Sequence, residues 1–123
     1  MSYELTYKKK KDILFVKVKG MRSFKTIISV IKDIQQICIK QKTSKVLIDV
    51  QELEGHLKTM EAYELPALVF PKIRDKNIFE KSAIVDREES YPYYSFFENV
   101  SVNRGFNLRI FTNIDDAAEW LRK

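Results

Sequence analysis

Short β-rich runs alternate with segments of helical spacing along most of this 123-residue chain. Residues 3–7 alternate apolar and polar side chains, and residues 13–19 pass from an apolar run to alternation on the other side of a lysine run. That pattern predicts a β-hairpin with the lysines at or near its turn. Gly20 is expected to break the second strand. Three further strands are predicted at residues 45–50, 82–86 and 108–111.

Helices are predicted between and after these strands. Ser23 is a candidate N-cap, and apolar residues recur behind it at helical spacing. Another helix is expected over residues 91–104, with Gly105 just beyond its C-cap. A last helix is expected to begin after Asn113. It has acidic residues in its first turn and basic residues in its last, and these charges interact favourably with the helix macrodipole at both ends.

The segment between the central strand and the next one carries both a helix-cap signal and two prolines. Residues 51–58 contain Gly55 and are expected to form a loop. Thr59 can cap a helical segment behind it, but Pro66 and Pro71 each lack an N–H donor. A kinked helix or two short helices are therefore predicted there.

The resulting order, β-β-α-β-α-β-α-β-α, predicts an α/β protein. Alternating strands and helices generally give a parallel sheet with right-handed crossovers. We expect a mixed five-stranded sheet with four helices, in which the first strand is an antiparallel edge strand and the rest are parallel. The length fits one core, so residues 1–123 are expected to form a single domain.

Composition narrows the class of protein. Hydrophobic residues make up 45% and charged residues 32% of the chain, the balance of an ordinary globular domain. The apolar stretches are far shorter than the roughly 20 residues that span a bilayer. The first residues lack the layout of a secretory signal, so a cytoplasmic protein is expected. Cys38 lies among isoleucines on the first predicted helix and is expected to be a buried core residue.

Several kinds of chemistry are not expected. Three glycines, far apart in the sequence, cannot form a P-loop or a Gly-x-Gly-x-x-Gly turn. The single histidine, His56, is interpreted as a solvated loop residue rather than a metal ligand. The net charge of +5 permits an acidic partner, but residues 8–11 lack interleaved aromatic side chains and are interpreted as a solvated turn. No catalytic residue, cofactor, metal or nucleic-acid partner is therefore predicted.

Two local patterns resemble the SpoIIAA-like family, whose STAS relatives include bacterial anti-sigma-factor antagonists. The first is residues 46–49, Val-Leu-Ile-Asp, followed by Leu-Glu-Gly at 53–55 and a helix. The second is the strand at 81–86, then Leu-Arg-Ile-Phe at 108–111 and Asp-Ala-Ala-Glu-Trp-Leu at 116–121. The resemblance covers nearly the whole chain and implies a STAS-type fold with a non-enzymatic regulatory or protein-binding role.

One residue type departs from that resemblance. Antagonists of this type carry a phosphorylatable serine at the start of the helix after the central strand. Here residues 51–59 contain no serine, and Thr59 is the only hydroxyl-bearing residue. Because a phosphate needs an exposed hydroxyl, and Thr59 is interpreted as a helix cap, the sequence predicts a domain without the phosphoserine switch.

Open α/β sheets bind ligands outside the carboxyl ends of their parallel strands. The loops at those ends, together with an aromatic segment over residues 91–97, supply the candidate recognition surface. The predicted binding residues are Arg22, Asp49, Glu52, His56, Thr59, Asp86, Arg87, Tyr91 and Tyr93. As an alternative, Asp49 and Asp86 only cap strand and helix ends.

Two functions follow from these predictions. The first is a regulatory domain that binds an unidentified protein partner. The second is a carrier of a small apolar or amphipathic ligand, because the aromatic segment could line a pocket. A homodimer is compatible with either function.

Overall fold

A computed structural model describes residues 3–55, 60, 64 and 79–123 of the chain, with the backbone alone for residues 91–94 and 96. Its strands form one sheet in the order β1-β2-β3-β4-β5. The strands are β1 (Tyr3–Lys10), β2 (Ile13–Met21), β3 (Lys45–Glu54), β4 (Lys81–Val85) and β5 (Leu108–Phe111). β1 pairs antiparallel with β2, and every other pair is parallel. The predicted mixed five-stranded sheet with an antiparallel edge strand is confirmed.

The described residues contain three α-helices and a short 3₁₀ turn. The helices are α1 (Phe24–Gln41), α2 (Tyr91–Asn103) and α3 (Ile114–Arg122), and the 3₁₀ turn is Glu88–Ser90. These α-helices confirm three of the four that the sequence predicts. The remaining one, expected behind Thr59, lies outside the described residues except for Met60 and Glu64.

The helices cover the two faces of the sheet unequally. α1 packs on one face, where Val30, Ile34 and Cys38 join buried residues of β2 and β3. Apolar residues of α1 and α2 also pack together around Phe97 and Phe106. On the opposite face, α3 packs across β3, β4 and β5. Consecutive right-handed crossovers that move in one direction across a sheet lie on the same face, so α3 can reach the other face only because it follows the last strand.

The ends of α1 follow from its sequence. The Ser23 side chain accepts a hydrogen bond from the Thr26 amide at 3.1 Å, as expected of an N-cap. Lys42 ends the helix in the left-handed conformation with φ of 56°. Buried residues recur every fourth position between these ends, at Thr26, Val30, Ile34 and Cys38. Only part of the apolar stripe seen in the sequence packs on the sheet, through Ile34 and Cys38, because Phe24, Ile27 and Ile31 pack with α2 instead.

Cys38 is buried, as the sequence predicts, and burial raises the pKa of its thiol to about 11. The native thiol stays protonated where the unfolded thiol, with a pKa near 9, already ionises. The contribution of the Cys38 thiol to the free energy of unfolding should therefore be fully present below about pH 9 and be lost as the pH rises toward about 11. Denaturation experiments on wild type and Cys38→Ala measure this effect. The free energy of unfolding should fall more between pH 8 and pH 10 in wild type than in the variant. An equal fall in both proteins would contradict the assignment of Cys38 as a buried thiol with a raised pKa.

The end of β2 differs from the sequence prediction. Gly20 was expected to break this strand, but β2 continues through it to Met21. Gly20 pairs with Tyr3 of β1 on one side and with Leu53 of β3 on the other. Its φ of 139° is one that side-chain-bearing residues rarely adopt, so glycine here extends the ladder instead of ending it.

The end of β3 also differs. The strand was expected to stop at Val50, with a loop over residues 51–58, but β3 runs to Glu54. A shift in the β2–β3 register between Lys17 and Lys19 accommodates the longer strand. Such a bulge leaves one residue unpaired and twists the strand locally, after which pairing resumes. Residues 51–54 are therefore strand rather than loop.

Candidate functional site

The four parallel strands β2–β5 bring their carboxyl ends to one edge of the sheet, here called the carboxyl edge. Arg22 directly follows β2, and Asp86 and Arg87 directly follow β4. These positions were selected from the sequence because ligands of open α/β sheets bind at this edge. The structure brings these three residues together.

Arg22 and Asp86 form a buried ion pair across the carboxyl edge. Arg22 Nη1 lies 3.1 Å from Asp86 Oδ2, and each side chain is only 1% exposed. Arg22 Nη2 donates a second hydrogen bond to the Leu53 carbonyl at 3.2 Å. The backbone continues the connection, because the Arg22 amide donates to the Glu54 carbonyl at 2.9 Å. The pair thus fastens the end of β2 to the ends of β3 and β4.

Arg87 completes the cluster from the same loop. Its Nη2 donates to the Leu53 carbonyl at 3.0 Å, so two guanidinium groups share that oxygen. The Arg87 amide donates to Asp86 Oδ1 at 2.7 Å, and the Asp86 amide donates to the Phe111 carbonyl at 3.0 Å. Both Asp86 oxygens therefore accept hydrogen bonds. We call Arg22, Leu53, Asp86 and Arg87 the edge cluster.

The electrostatics of the edge cluster favour fixed charges over proton transfer. Burial lowers the pKa of Arg22, and the Asp86 carboxylate beside it opposes that effect. An arginine guanidinium nevertheless stays protonated in proteins. Two cationic groups and one carboxylate give the cluster a net positive charge, and its geometry suits holding strand ends and orienting a bound group.

Among the residues that the structure describes, two buried polar atoms at this edge find no hydrogen-bond partner. They are Arg87 Nε and Ser90 Oγ. Ser90 directly precedes α2 and is fully buried, but its side chain does not cap the helix. Most buried polar atoms in native proteins are paired, so each exception calls for an explanation. Both atoms lie in the segment that joins the edge cluster to α2, which makes that segment a candidate contact region.

Asp49 and Glu52 do not join the edge cluster. Asp49 lies within the strand that the sequence predicts, and Glu52 lies on β3 because the strand is longer than predicted. Asp49 Oδ1 accepts hydrogen bonds from the Gln51 amide at 3.0 Å and from Gln51 Nε2 at 3.1 Å. Glu52 forms an exposed ion pair with Lys17 at 2.5 Å, which lowers the pKa of Glu52 and raises that of Lys17.

The remaining predicted site residues are described in part or not at all. His56 and Thr59 lie outside the described residues. Tyr91 and Tyr93 begin α2, and their side chains also lie outside the described part. Their roles stay predictions.

Two groups at the edge were not predicted from the sequence. The Leu53 carbonyl, which accepts from both arginines, carries no sequence signal because every residue has such an oxygen. Ser90 carries the sequence signal of a helix cap, a serine just before a proline-containing first turn, but its side chain makes no cap hydrogen bond in the structure.

Within residues 3–55 and 79–123, no group of three or more metal-ligating side chains is placed to hold an ion. In the same part of the chain, no helix combines the length and the apolar character that a membrane crossing requires.

Sequence comparison finds no relative. No family model matches the chain, and neither does any curated protein sequence.

Structural comparison, in contrast, finds matches over nearly the whole chain. An anti-sigma factor antagonist from Mycobacterium paratuberculosis superposes with a TM-score of 0.66 at 16% identity, covering 99% of this chain and 96% of that one. An uncharacterized protein with a SpoIIAA-like fold from Shewanella loihica superposes with a TM-score of 0.58 at 20% identity, covering 97% and 93%. Identity this low establishes the fold alone. The fold implied by the sequence resemblance is confirmed, and the chain has a SpoIIAA-like fold.

Proposed function

We propose that this chain is a non-enzymatic regulatory domain that binds a protein partner at the carboxyl edge of its sheet. The observation that carries the proposal is the edge cluster, in which the buried Arg22–Asp86 pair fixes the ends of three strands. A surface that is rigid before binding loses less entropy on association, which favours recognition. The cytoplasmic location expected from the sequence is part of this proposal.

The exposed groups next to the cluster support binding rather than catalysis. Met21 ends β2 with 64% of its surface exposed, beside the exposed Glu54 of β3. An apolar side chain among charged neighbours is a suitable anchor for a protein partner. The similarity in fold to an anti-sigma factor antagonist supports the proposal that the partner is a protein.

The proposal can be tested with a partner recovered by chemical crosslinking and mass spectrometry. The substitution Met21→Lys should weaken binding of that partner about tenfold. It places a charge at the position where the complex would bury an apolar anchor. Ile39→Lys is a matched control, since Ile39 is equally exposed, at 63%, on the last turns of α1. It should change binding less than twofold. Equal effects of the two substitutions, or none, would refute binding at the carboxyl edge.

We further propose that no phosphoserine switch operates in this domain. The sequence offers only Thr59 after the central strand, and an N-cap hydroxyl already accepts a backbone N–H. Intact-mass analysis of protein purified from its native host should show no species heavier by one phosphate. A phosphorylated fraction mapped to Thr59 that alters partner binding would restore the switch.

The alternative function, a carrier of a small apolar ligand, requires an enclosed apolar cavity. The grooves that described residues line, of about 280, 290 and 520 Å³, each carry charged side chains on their walls. Native mass spectrometry of protein from cells would decide the matter, since a carrier should retain a bound small molecule.

A further inference from the structure

Among the described residues, α3 covers only one half of its face of the sheet, the half that contains β3, β4 and β5. On that face β1 and β2 present cross-strand neighbours, with Lys8 opposite Phe15 and Lys10 opposite Ile13. Both lysines are exposed and Phe15 is half-buried. On this part of β2, Ile13 is buried against α3, and Phe15 is covered only in part by the described residues.

Two grooves of similar size lie along this part of β2. One has a volume of about 280 Å³, with Phe15, Leu47 and Ile114 as its apolar lining. The other has a volume of about 290 Å³ and lies toward the hairpin turn, lined by Ile13, Phe15 and Leu121. The two grooves share Phe15 in their lining and are here together called the β2 groove. Phe15 and Ile114 are partly exposed apolar residues of its lining, whereas Ile13, Leu47 and Leu121 are buried beneath it.

The walls of the β2 groove are strongly basic. Six basic side chains line it against two acidic ones. The basic residues are Lys8, Lys10, Lys11, Lys17, Lys45 and Arg122, and the acidic ones are Asp12 and Asp49. They come from three strands, the hairpin turn and the last helix, so the sequence alone shows no cluster beyond residues 8–11. An acidic occupant would be attracted and oriented by these charges.

The dimensions of the β2 groove suit an α-helix. Strands lie about 4.8 Å apart, so β2 runs roughly 10 Å from β4, which is close to one helix diameter. A helix laid along β2 would lie beside α3, whose residues Ile114, Leu121 and Arg122 line the groove. Residues 13–17 of β2 give the groove a length of about 16 Å, or three helical turns.

We propose that the β2 groove binds an acidic amphipathic helix of a protein partner, with its apolar stripe on Phe15 and its carboxylates against the surrounding lysines. A second copy of this chain is a poor occupant, because each copy carries a net charge of +5. Nucleic acid is disfavoured because Asp49 and Glu52 lie beside the groove and Phe15 is half-buried. The groove is separate from the edge cluster, so either proposal can fail alone.

The test uses a fluorescent synthetic peptide of about 18 residues with leucines at helical spacing and glutamates elsewhere. Two control peptides are needed, one with lysines replacing the glutamates and one with the same composition in scrambled order. Anisotropy should show binding of the first peptide alone. Chemical shifts of the bound protein should change at Phe15 and its neighbours, and not at Met21.

Variants locate the site. Lys8→Glu combined with Lys10→Glu should weaken peptide binding about tenfold or more, because it reverses two charges on the groove wall. Lys25→Glu combined with Lys32→Glu makes the same charge change on exposed positions of α1 and should have less than a twofold effect. Absence of peptide binding, equal effects of the two double variants, or tighter binding of a single-stranded oligonucleotide through Lys8 and Lys10 would each overturn the proposal.

Discussion

Asp86→Ala is expected to lower the free energy of unfolding by about 3–5 kcal/mol, because it leaves the Arg22 guanidinium buried without its carboxylate. Both side chains are 1% exposed, so water cannot replace the lost partner without opening the carboxyl edge. The substitution also removes the acceptor for the Arg87 amide. Urea denaturation followed by circular dichroism measures the change.

The double variant distinguishes an uncompensated charge from simple loss of packing. Arg22→Met combined with Asp86→Ala removes both charges, so its cost should fall about 1–3 kcal/mol below the sum of the two single substitutions. Additive costs would show that the pair is not coupled and would contradict a charge-compensated edge cluster.

Glu52→Ala is the control for this experiment. Glu52 forms an ion pair with Lys17 at 2.5 Å, shorter than the buried pair, but their side chains are 44% and 47% exposed. Solvent screens an exposed pair and replaces its hydrogen bonds, so little change in the denaturation midpoint is expected. Destabilisation by Glu52→Ala as large as that by Asp86→Ala would mean that burial does not set the contribution of the Arg22–Asp86 pair.

Local sequence signals predict most of the architecture because each depends on residues close together in the chain. Ser23 and Asn113 were predicted as helix caps, and both accept the expected backbone amide, at 3.1 Å in each helix. Gly105, expected just beyond α2, adopts a positive φ of 88°. Alternation and helical spacing likewise predict the order of strands and helices along the chain, from which a mixed sheet with an antiparallel edge strand was expected.

Strand ends were predicted less well, because they depend on the neighbouring strand. Whether β3 stops at Val50 or continues to Glu54 is decided by its pairing with β2, whose register shifts between Lys17 and Lys19. Nothing in residues 51–54 alone specifies a bulge. The same dependence explains Gly20, which ends a strand in isolation but is held in a ladder by partners on both sides.

The candidate site could be predicted only as a set of positions. The rule that ligands bind at the carboxyl ends of parallel strands selected Arg22, Asp86 and Arg87 correctly as neighbours of that edge. Their bonding could not be predicted, since Arg22 and Asp86 are 64 positions apart and Arg22 shares the Leu53 carbonyl with Arg87. The β2 groove is a stronger example, because its charges converge only after β1, β3 and α3 are assembled.

Trp120→Ala is expected to lower the free energy of unfolding by about 3 kcal/mol, the lower end of the range for truncating a large buried aromatic side chain, because the ring is only partly buried. Ala117, Ala118 and Leu121 of α3 are buried against the sheet, and the Trp120 ring packs against the same cluster of residues. In the structure its centroid lies 5.7 Å from that of Phe111 on β5. Lys81 Nζ lies 5.0 Å from the ring centroid and adds a cation–π contact.

Two further substitutions separate the contributions to this effect. Trp120→Phe keeps an aromatic ring against Phe111 and should lose less than half as much stability as Trp120→Ala. Glu119→Ala changes an exposed neighbour on the same helix and should leave the denaturation midpoint nearly unchanged. Because Trp120 is the only tryptophan, circular dichroism must replace fluorescence as the probe. An unchanged midpoint for Trp120→Ala would mean that α3 is held on the sheet by Ala117, Ala118 and Leu121 alone.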